Sequence, residues 1–241
     1  MSEGYKERFE GIYFPAIAIK YPSIWLDYTH FSVRYSHALG HGVMGAVNMR
    51  VVQSIRLITA DRPWRVDERA KGGKMMKAAD YTRLRCDRGH IVDQCAPQHG
   101  GLYEIQQASS DTFHYTNCSP RLPDINRGVW RQIEQWVLKR SGAITMSVQT
   151  GVVTGEIIPS GYWKIATWIE KTKQKSVGFW VDQPQPGSRG LLALTKQMRI
   201  ADIEAKAGVD IDLAIASCDV LGTKRSIDSL PALEGPDDLE L

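Results

Sequence analysis

The chain has 241 residues, 43% of them hydrophobic and 24% charged, with a formal net charge of +3. These values are ordinary for a globular protein and favour one α+β domain spanning residues 1–241. No apolar run reaches the length of a membrane-spanning helix, so no membrane partner is expected. The acidic stretch Glu234–Leu241 masks a more basic body, which suits a polyanionic partner.

In chain order, Glu3, Lys6, Glu7, Arg8 and Glu10 make a mixed-charge start. The apolar stretch Ile12–Ile19 is interrupted by Pro15 and followed by Lys20-Tyr21-Pro22 rather than a small-residue cleavage site. No signal peptide is therefore read, and a cytoplasmic location is expected. Residues 1–25 read as an N-terminal extension that wraps over the body or serves as an interaction segment. Trp25–Ile58 alternates as strands do, broken at Gly40-His41-Gly42. His37 and His41, four apart at that break, read as structural histidines. Asp61–Ala79 reads as a charged loop, and Leu84–Val92 as a strand.

Residues 93–111 read as a polar loop with His99 at its surface, and Phe113–Cys118 as a returning strand. Pro120–Ile125 is a turn, with Asn126 the expected N-cap of a helix. Val129, Trp130, Ile133, Trp136 and Val137 recur at helical spacing, and Ser141-Gly142 ends the helix. Further strands are read in Ala143–Val153, Ile157–Glu170 and Ser176–Val181. A last helix includes Ile200 and Ile203, and 214–241 read as an irregular acidic tail. Cys86, Cys95, Cys118 and Cys218 have no C-x-x-C spacing, so free thiols are expected rather than structural zinc.

Three motifs stand out in the middle of this order. They are Asp87-Arg88-Gly89-His90, then Asn117-x-x-Pro120, then Asn126-Arg127-Gly128-x-Trp130-x-x-x-Glu134. Together they resemble the DNA/RNA non-specific endonuclease family, whose site is a ββα-metal (His-Me finger) motif. Asp61-Arg62-Pro63-Trp64-Arg65 is similar to the family's upstream Arg-x-Trp element, and Ile158–Lys164 to a late core strand. The resemblance covers roughly residues 30–213. It implies a central antiparallel sheet flanked by helices, and an endonuclease that cuts DNA and RNA to 5′-phosphate ends.

The resemblance also implies the roles. His90 would be the general base, since imidazole changes charge near neutral pH. Asn126 would be the ligand of one Mg²⁺ ion, with Mn²⁺ the alternative, because such ions keep most of their water. Arg62 would grip the scissile phosphate, and Arg88 would add a substrate contact. Asn117 would orient His90 or a nearby water. Asp87 reads as structural, fixing the strand end. Glu134 lies eight residues past Asn126, roughly 12 Å along a regular helix. It is therefore expected to hold metal-bound water without touching the ion, and ligation by both would require an irregular first turn.

Two positions depart from the family pattern. Arg121 stands where glutamine is usual, and Leu138 where a basic residue is expected. Arg121 is expected to compensate by binding phosphate. The expected partners are the backbones of DNA and RNA. A homodimer is admitted by the resemblance, and a regulatory partner or inhibitor is expected because a non-specific nuclease without an export signal would endanger its own cell. The competing readings are a nuclease subunit of a partner-activated defence or toxin system, and a catalytically silent nucleic-acid-binding module of the same fold.

Overall fold

The structure is a computed structural model and describes residues 3–50, 62–185 and 195–222. The first strands are β1 (Arg8–Phe9), β2 (Ile12–Tyr13), β3 (Ala18–Ile19), β4 (Ile24–Tyr28), β5 (Phe31–Ser36) and β6 (His41–Met49). The site region carries α1 (Ala78–Leu84), β7 (Asp87–His90), α2 (Leu102–Asp111), β8 (Cys118–Arg121) and α3 (Trp130–Ser141). The chain continues with β9 (Met146–Val152), β10 (Gly161–Glu170), β11 (Lys173–Asp182), β12 (Thr195–Met198), α4 (Ile200–Ala207), β13 (Val209–Asp210) and α5 (Leu213–Ala216).

Among the described residues, an antiparallel sheet of seven strands runs in the order β12-β11-β10-β9-β6-β5-β4. Side chains alternate across its two faces, as the pleat requires. Along β10, Tyr162, Ala166 and Trp168 join one apolar cluster, while Trp163 and Ile165 join the other. The first cluster is closed by Trp130, Ile133, Trp136 and Val137 of α3. The second is closed by Ile200 and Ile203 of α4. Each fully buried tryptophan removes on the order of 150–250 Å² from water. At about 25 cal/mol per Å², that stabilises the fold by roughly 4–6 kcal/mol as an upper estimate.

The hairpin β7–β8 stands apart from the large sheet, in the register Asp87↔Arg121, Gly89↔Ser119 and His90↔Cys118. It leads into α3, so strand, strand and helix follow in the order the motifs imply. The hairpin lies close to the sheet because β6 is thin at Gly42. A Cβ there would stand 2.4 Å from the Thr116 carbonyl and 2.6 Å from Ile91 Cδ1. This architecture is the expected mixed α+β fold with a central antiparallel sheet.

Several local expectations change. The segment before the motif is not all strand, because Ala78–Leu84 forms α1 and the strand is confined to Asp87–His90. The polar stretch 93–111 contains α2, which Glu104 caps through the Gly101 N–H (2.7 Å) while Ile105 and Ala108 turn inward. His99 is buried, its ring stacked 3.7 Å from that of His30. The returning strand is Cys118–Arg121 rather than Phe113–Cys118, since Tyr115–Asn117 makes a 3₁₀ turn first.

Residues 3–25 wrap over the body: β3 pairs with β13, and Tyr5 reaches both the Phe14 carbonyl and Ser147 (2.7 Å each). Past residue 213 the chain is not irregular at once. It forms α5, and Ser176 then bridges to Asp219. The acidic end and residues 51–58 lie outside the described residues. All four cysteines are free thiols. No helix among the described residues is long and apolar enough to cross a membrane.

Candidate active site

A cleft of about 560 Å³ opens beside the β7–β8 hairpin, and Trp64, Asp87, Arg88, His90, Phe113 and Asn126 are on its wall. His90 ends β7. Its ring lies 4.7 Å from that of Trp64 and meets Phe113 edge-on at 5.0 Å. Nε2 is buried and has no hydrogen-bond partner in the protein. Burial first, and then the positive charges of Arg121 and Arg88, push the imidazole down to about 3. The ring is therefore neutral at physiological pH, the state a proton acceptor needs.

Asn126 is not an N-cap. It lies in a kinked turn, Ile125–Val129, that precedes α3, with Gly128 bent out of helical geometry at φ −99° and ψ −111°. Joint ligation by Asn126 and Glu134 would require an irregular first turn; the turn is irregular, yet Glu134 does not reach the cleft. Both ends of the Asn126 amide are held. Nδ2 donates to Asp87 Oδ2 (3.1 Å), and Oδ1 accepts from Arg121 Nη1 (3.1 Å). Asp87 is itself gripped by Arg127 through two 2.8 Å bonds. Its carboxyl is held below the usual range because the bonds from Arg127 and Asn126 outweigh its burial. Asp87 thus does what was expected of it, fixing the strand end and, beyond that, aiming the asparagine.

Arg121 is corrected from substrate contact to interior residue. Only 1% of it is exposed, so no phosphate can reach it. Its guanidinium packs over the rings of Trp130 (4.5 Å) and Tyr162 (4.4 Å), and Nη2 donates to the His90 carbonyl (3.1 Å). Gly89 makes room for it: a Cβ at position 89 would stand 2.8 Å from Arg121 Cβ. The close approach that glycine allows in this motif is made by a side chain, not by a phosphate.

Glu134 also sits elsewhere than expected. Its Oε1 accepts from Trp130 Nε1 (2.8 Å), and it faces a separate narrow crevice shared with Asp93, Thr150 and Lys164. Burial and Asp93 raise the Glu134 carboxyl. Burial lowers Lys164, which donates to Thr150 Oγ1 (2.8 Å) and lies 5.0 Å from the Trp130 ring. The regular helix after the kink carries Glu134 past the cleft to Trp130 and the separate crevice.

Asn117 is fully buried and faces neither the His90 ring nor the cleft. Its amide bonds the Val92 N–H (3.0 Å), the Val92 carbonyl (2.9 Å) and the Thr112 carbonyl (3.0 Å). It clamps the chain that leaves His90. Arg62 is half-buried and is not among the residues of the cleft wall, whereas Trp64, two positions on, is. Arg88 is exposed on that wall, its guanidinium 5.6 Å from the Trp64 ring. The packing of Trp64 and Phe113 on His90 had no signal in motif spacing, because it joins segments more than twenty residues apart.

The donor set restricts what could bind here. Among the described residues no three His, Cys, Asp or Glu side chains converge as a metal cage. One oriented amide oxygen in a cleft with room for water suits a hard, largely hydrated divalent ion instead. Asn126 Oδ1 keeps a lone pair beyond the one given to Arg121, so the residues present fit such an ion.

A profile of the DNA/RNA non-specific endonucleases matches residues 19–217. An uncharacterized protein, y4fB of Sinorhizobium fredii (strain NBRC 101917 / NGR234), is 30% identical over 112 residues, which are 40% of this chain and 17% of that protein. Human mitochondrial endonuclease G is 34% identical over 71 residues, 30% of this chain and 21% of that one. The matched stretches thus span about a fifth of these curated relatives. In fold, the structure described as the EndoG/EndoGI complex superposes with a TM-score of 0.64 at 16% identity, covering 80% of this chain and 87% of that one. The profile match runs through every motif built up above, and the chain belongs to the DNA/RNA non-specific endonuclease family.

Proposed function

We propose that this protein is a metal-dependent, sequence-non-specific endonuclease that hydrolyses phosphodiesters of DNA and RNA and leaves 5′-phosphate ends. One observation carries the reading. The His90 imidazole and the Asn126 amide, held at both ends, share the wall of one solvent-open cleft.

His90 takes the proton of the attacking water on its imidazole, and the rings of Trp64 and Phe113 keep it from turning. Asn126 would hold the divalent ion through Oδ1. Bound there, the ion would supply a Lewis acid for the phosphate and the leaving 3′ oxygen. Asp87 keeps the amide from flipping, so that the oxygen and not the nitrogen faces the ion. Arg88, exposed at the same wall, meets the substrate's phosphate and adds positive charge where the transition state gathers negative charge. Contacts of this kind go to the nucleic-acid backbone and carry no base preference. Mg²⁺ is the proposed ion, with Mn²⁺ as its substitute.

The test is digestion of supercoiled plasmid and of a long RNA, each with Mg²⁺, with Mn²⁺ and with EDTA, followed by end-labelling. Cleavage of both polymers with a divalent ion, none with EDTA, and 5′-phosphate ends are expected. Binding without cleavage under every ion would overturn the reading in favour of a silent module. Cleavage that begins only after a partner is added would favour the partner-activated form.

A further inference from the structure

Arg121 is the residue that the motif leaves unexplained. It is buried, its Nε has no partner, and no carboxylate forms an ion pair with it among the described residues. A buried cation is normally paired. Here the aromatic rings of Trp130 and Tyr162 and two neutral oxygens stand against it, and the Glu134 carboxyl attracts it from farther off. Those two oxygens belong to His90 and Asn126, the residues on which the proposed chemistry rests.

We propose that Arg121 is a positioning residue that ties the metal-ligand asparagine to the backbone of the base and, through its charge, holds down the site's affinity for a divalent ion. The inference rests on reading Asn126 as that ligand. The amide oxygen has two lone pairs, and Arg121 takes one of them. An ion held by the other would bring its charge close to the guanidinium, whose Nη1 lies 3.1 Å from the same oxygen. Repulsion at that range is worth at least about tenfold in affinity even through a well-screened interior.

The same two bonds have a favourable side. Asp87 holds the nitrogen end of the Asn126 amide and Arg121 the oxygen end, so the oxygen points one way. The second guanidinium arm fixes the main chain at His90 against the same anchor. Precision of base and ligand is gained, and affinity for the free ion is lost. The ion then binds chiefly together with the polyanionic substrate, whose phosphate offsets the repulsion.

Mn²⁺ binding to the substrate-free protein, followed by electron paramagnetic resonance, tests this alongside plasmid cleavage. Arg121→Gln removes the charge. It is expected to bind Mn²⁺ about tenfold more tightly or better while kcat falls at least about tenfold. Arg121→Lys keeps the charge but not the two-armed bridge, and is expected to keep weak binding and still lose kcat. Should R121Q fail to fold, Arg121→Met carries the same test, since its apolar chain fills the space between the two rings. A neutral variant that binds Mn²⁺ no more tightly than the unmodified protein overturns the inference. Asn126→Ala separates this from failure of the underlying reading. If N126A binds Mn²⁺ as the unmodified protein does, Asn126 is not the ligand. If N126A loses binding and the neutral variants leave it unchanged, only the role of Arg121 falls.

Discussion

Gly89→Ala puts one methyl group into the contact that joins the two halves of the site. The new Cβ would stand 2.8 Å from Arg121 Cβ, 2.9 Å from Cζ and 3.0 Å from Nε. Carbon atoms normally approach to about 3.5–4.0 Å. Arg121 cannot swing aside, because its guanidinium lies against the rings of Trp130 and Tyr162. Overpacking of this kind costs about 1–3 kcal/mol. In a domain of this size each kcal/mol lowers Tm by about 2–4 °C, so a drop of roughly 2–12 °C is expected. Displacing the side chain by about half an ångström also lengthens its 3.1 Å bonds to Asn126 and to the His90 carbonyl beyond hydrogen-bond range. A shift of about 1 Å in a catalytic group can lower the rate about 100-fold. Thermal unfolding followed by circular dichroism reads the first effect, and plasmid cleavage at saturating Mg²⁺ the second. A variant with unchanged Tm and unchanged kcat would show that glycine is not at position 89 to admit Arg121.

His90→Ala should lower kcat by about 10²–10⁴ or more while filter binding of nucleic acid stays the same; equal loss of both would make the ring a packing element against Trp64 and Phe113. Asp87→Asn should cost no more than about 1 kcal/mol of stability, because its partner Arg127 is 71% exposed. It frees the Asn126 amide, however, so the Mg²⁺ concentration for half-maximal cleavage should change; an identical metal titration would refute that role. Trp130→Phe strips the half-buried Glu134 of its indole donor and should cost about 1–3 kcal/mol in urea unfolding, and a loss below about 0.5 kcal/mol would mean that the bond contributes little. His90 is pushed down to about 3, and His41 and His99 to about 4, each chiefly by burial. Below about 6.5 the unfolded chain therefore takes up protons that the folded chain refuses. Stability should be greatest above that pH and fall as pH drops toward 4, whereas an unfolding midpoint that rises on acidification would contradict the burial of these rings. The acid limb of kcat/KM should lie below pH 6.5, since His90 stays neutral there, and a limb above that value would refute it.

What could be read without coordinates was the chemistry that travels with local order. The run Asp87–His90, the two asparagines and the spacing Asn126–Trp130–Glu134 carried the resemblance that implied the hairpin and helix, and the period of Val129, Trp130, Ile133, Trp136 and Val137 marked the helix by itself. The same period placed Glu134 roughly 12 Å beyond Asn126 on a regular helix, and the kink at Ile125–Val129 does not bring the two together, because Glu134 accepts from Trp130 Nε1 in a separate crevice. Helix α2 escaped notice because Leu102 and Tyr103 are 66% and 77% exposed, leaving only Ile105 and Ala108 to mark an inward face.

Tertiary structure decided everything that depends on which side of a packed residue a charge falls. Arg121, Asn117 and Glu134 are polar residues at motif positions, and spacing alone brings all three toward the substrate. The large sheet closes over β8 and α3 and leaves Arg121 against two aromatic rings, Asn117 under the main chain, and Glu134 behind Trp130. Burial is set by what packs from elsewhere in the chain, and for these three the covering residues come largely from segments tens of positions away. The family resemblance of the local motifs therefore pointed to the proposed base and ligand, and the distant sheet decided which of their neighbours are exposed at the cleft and which are packed inside.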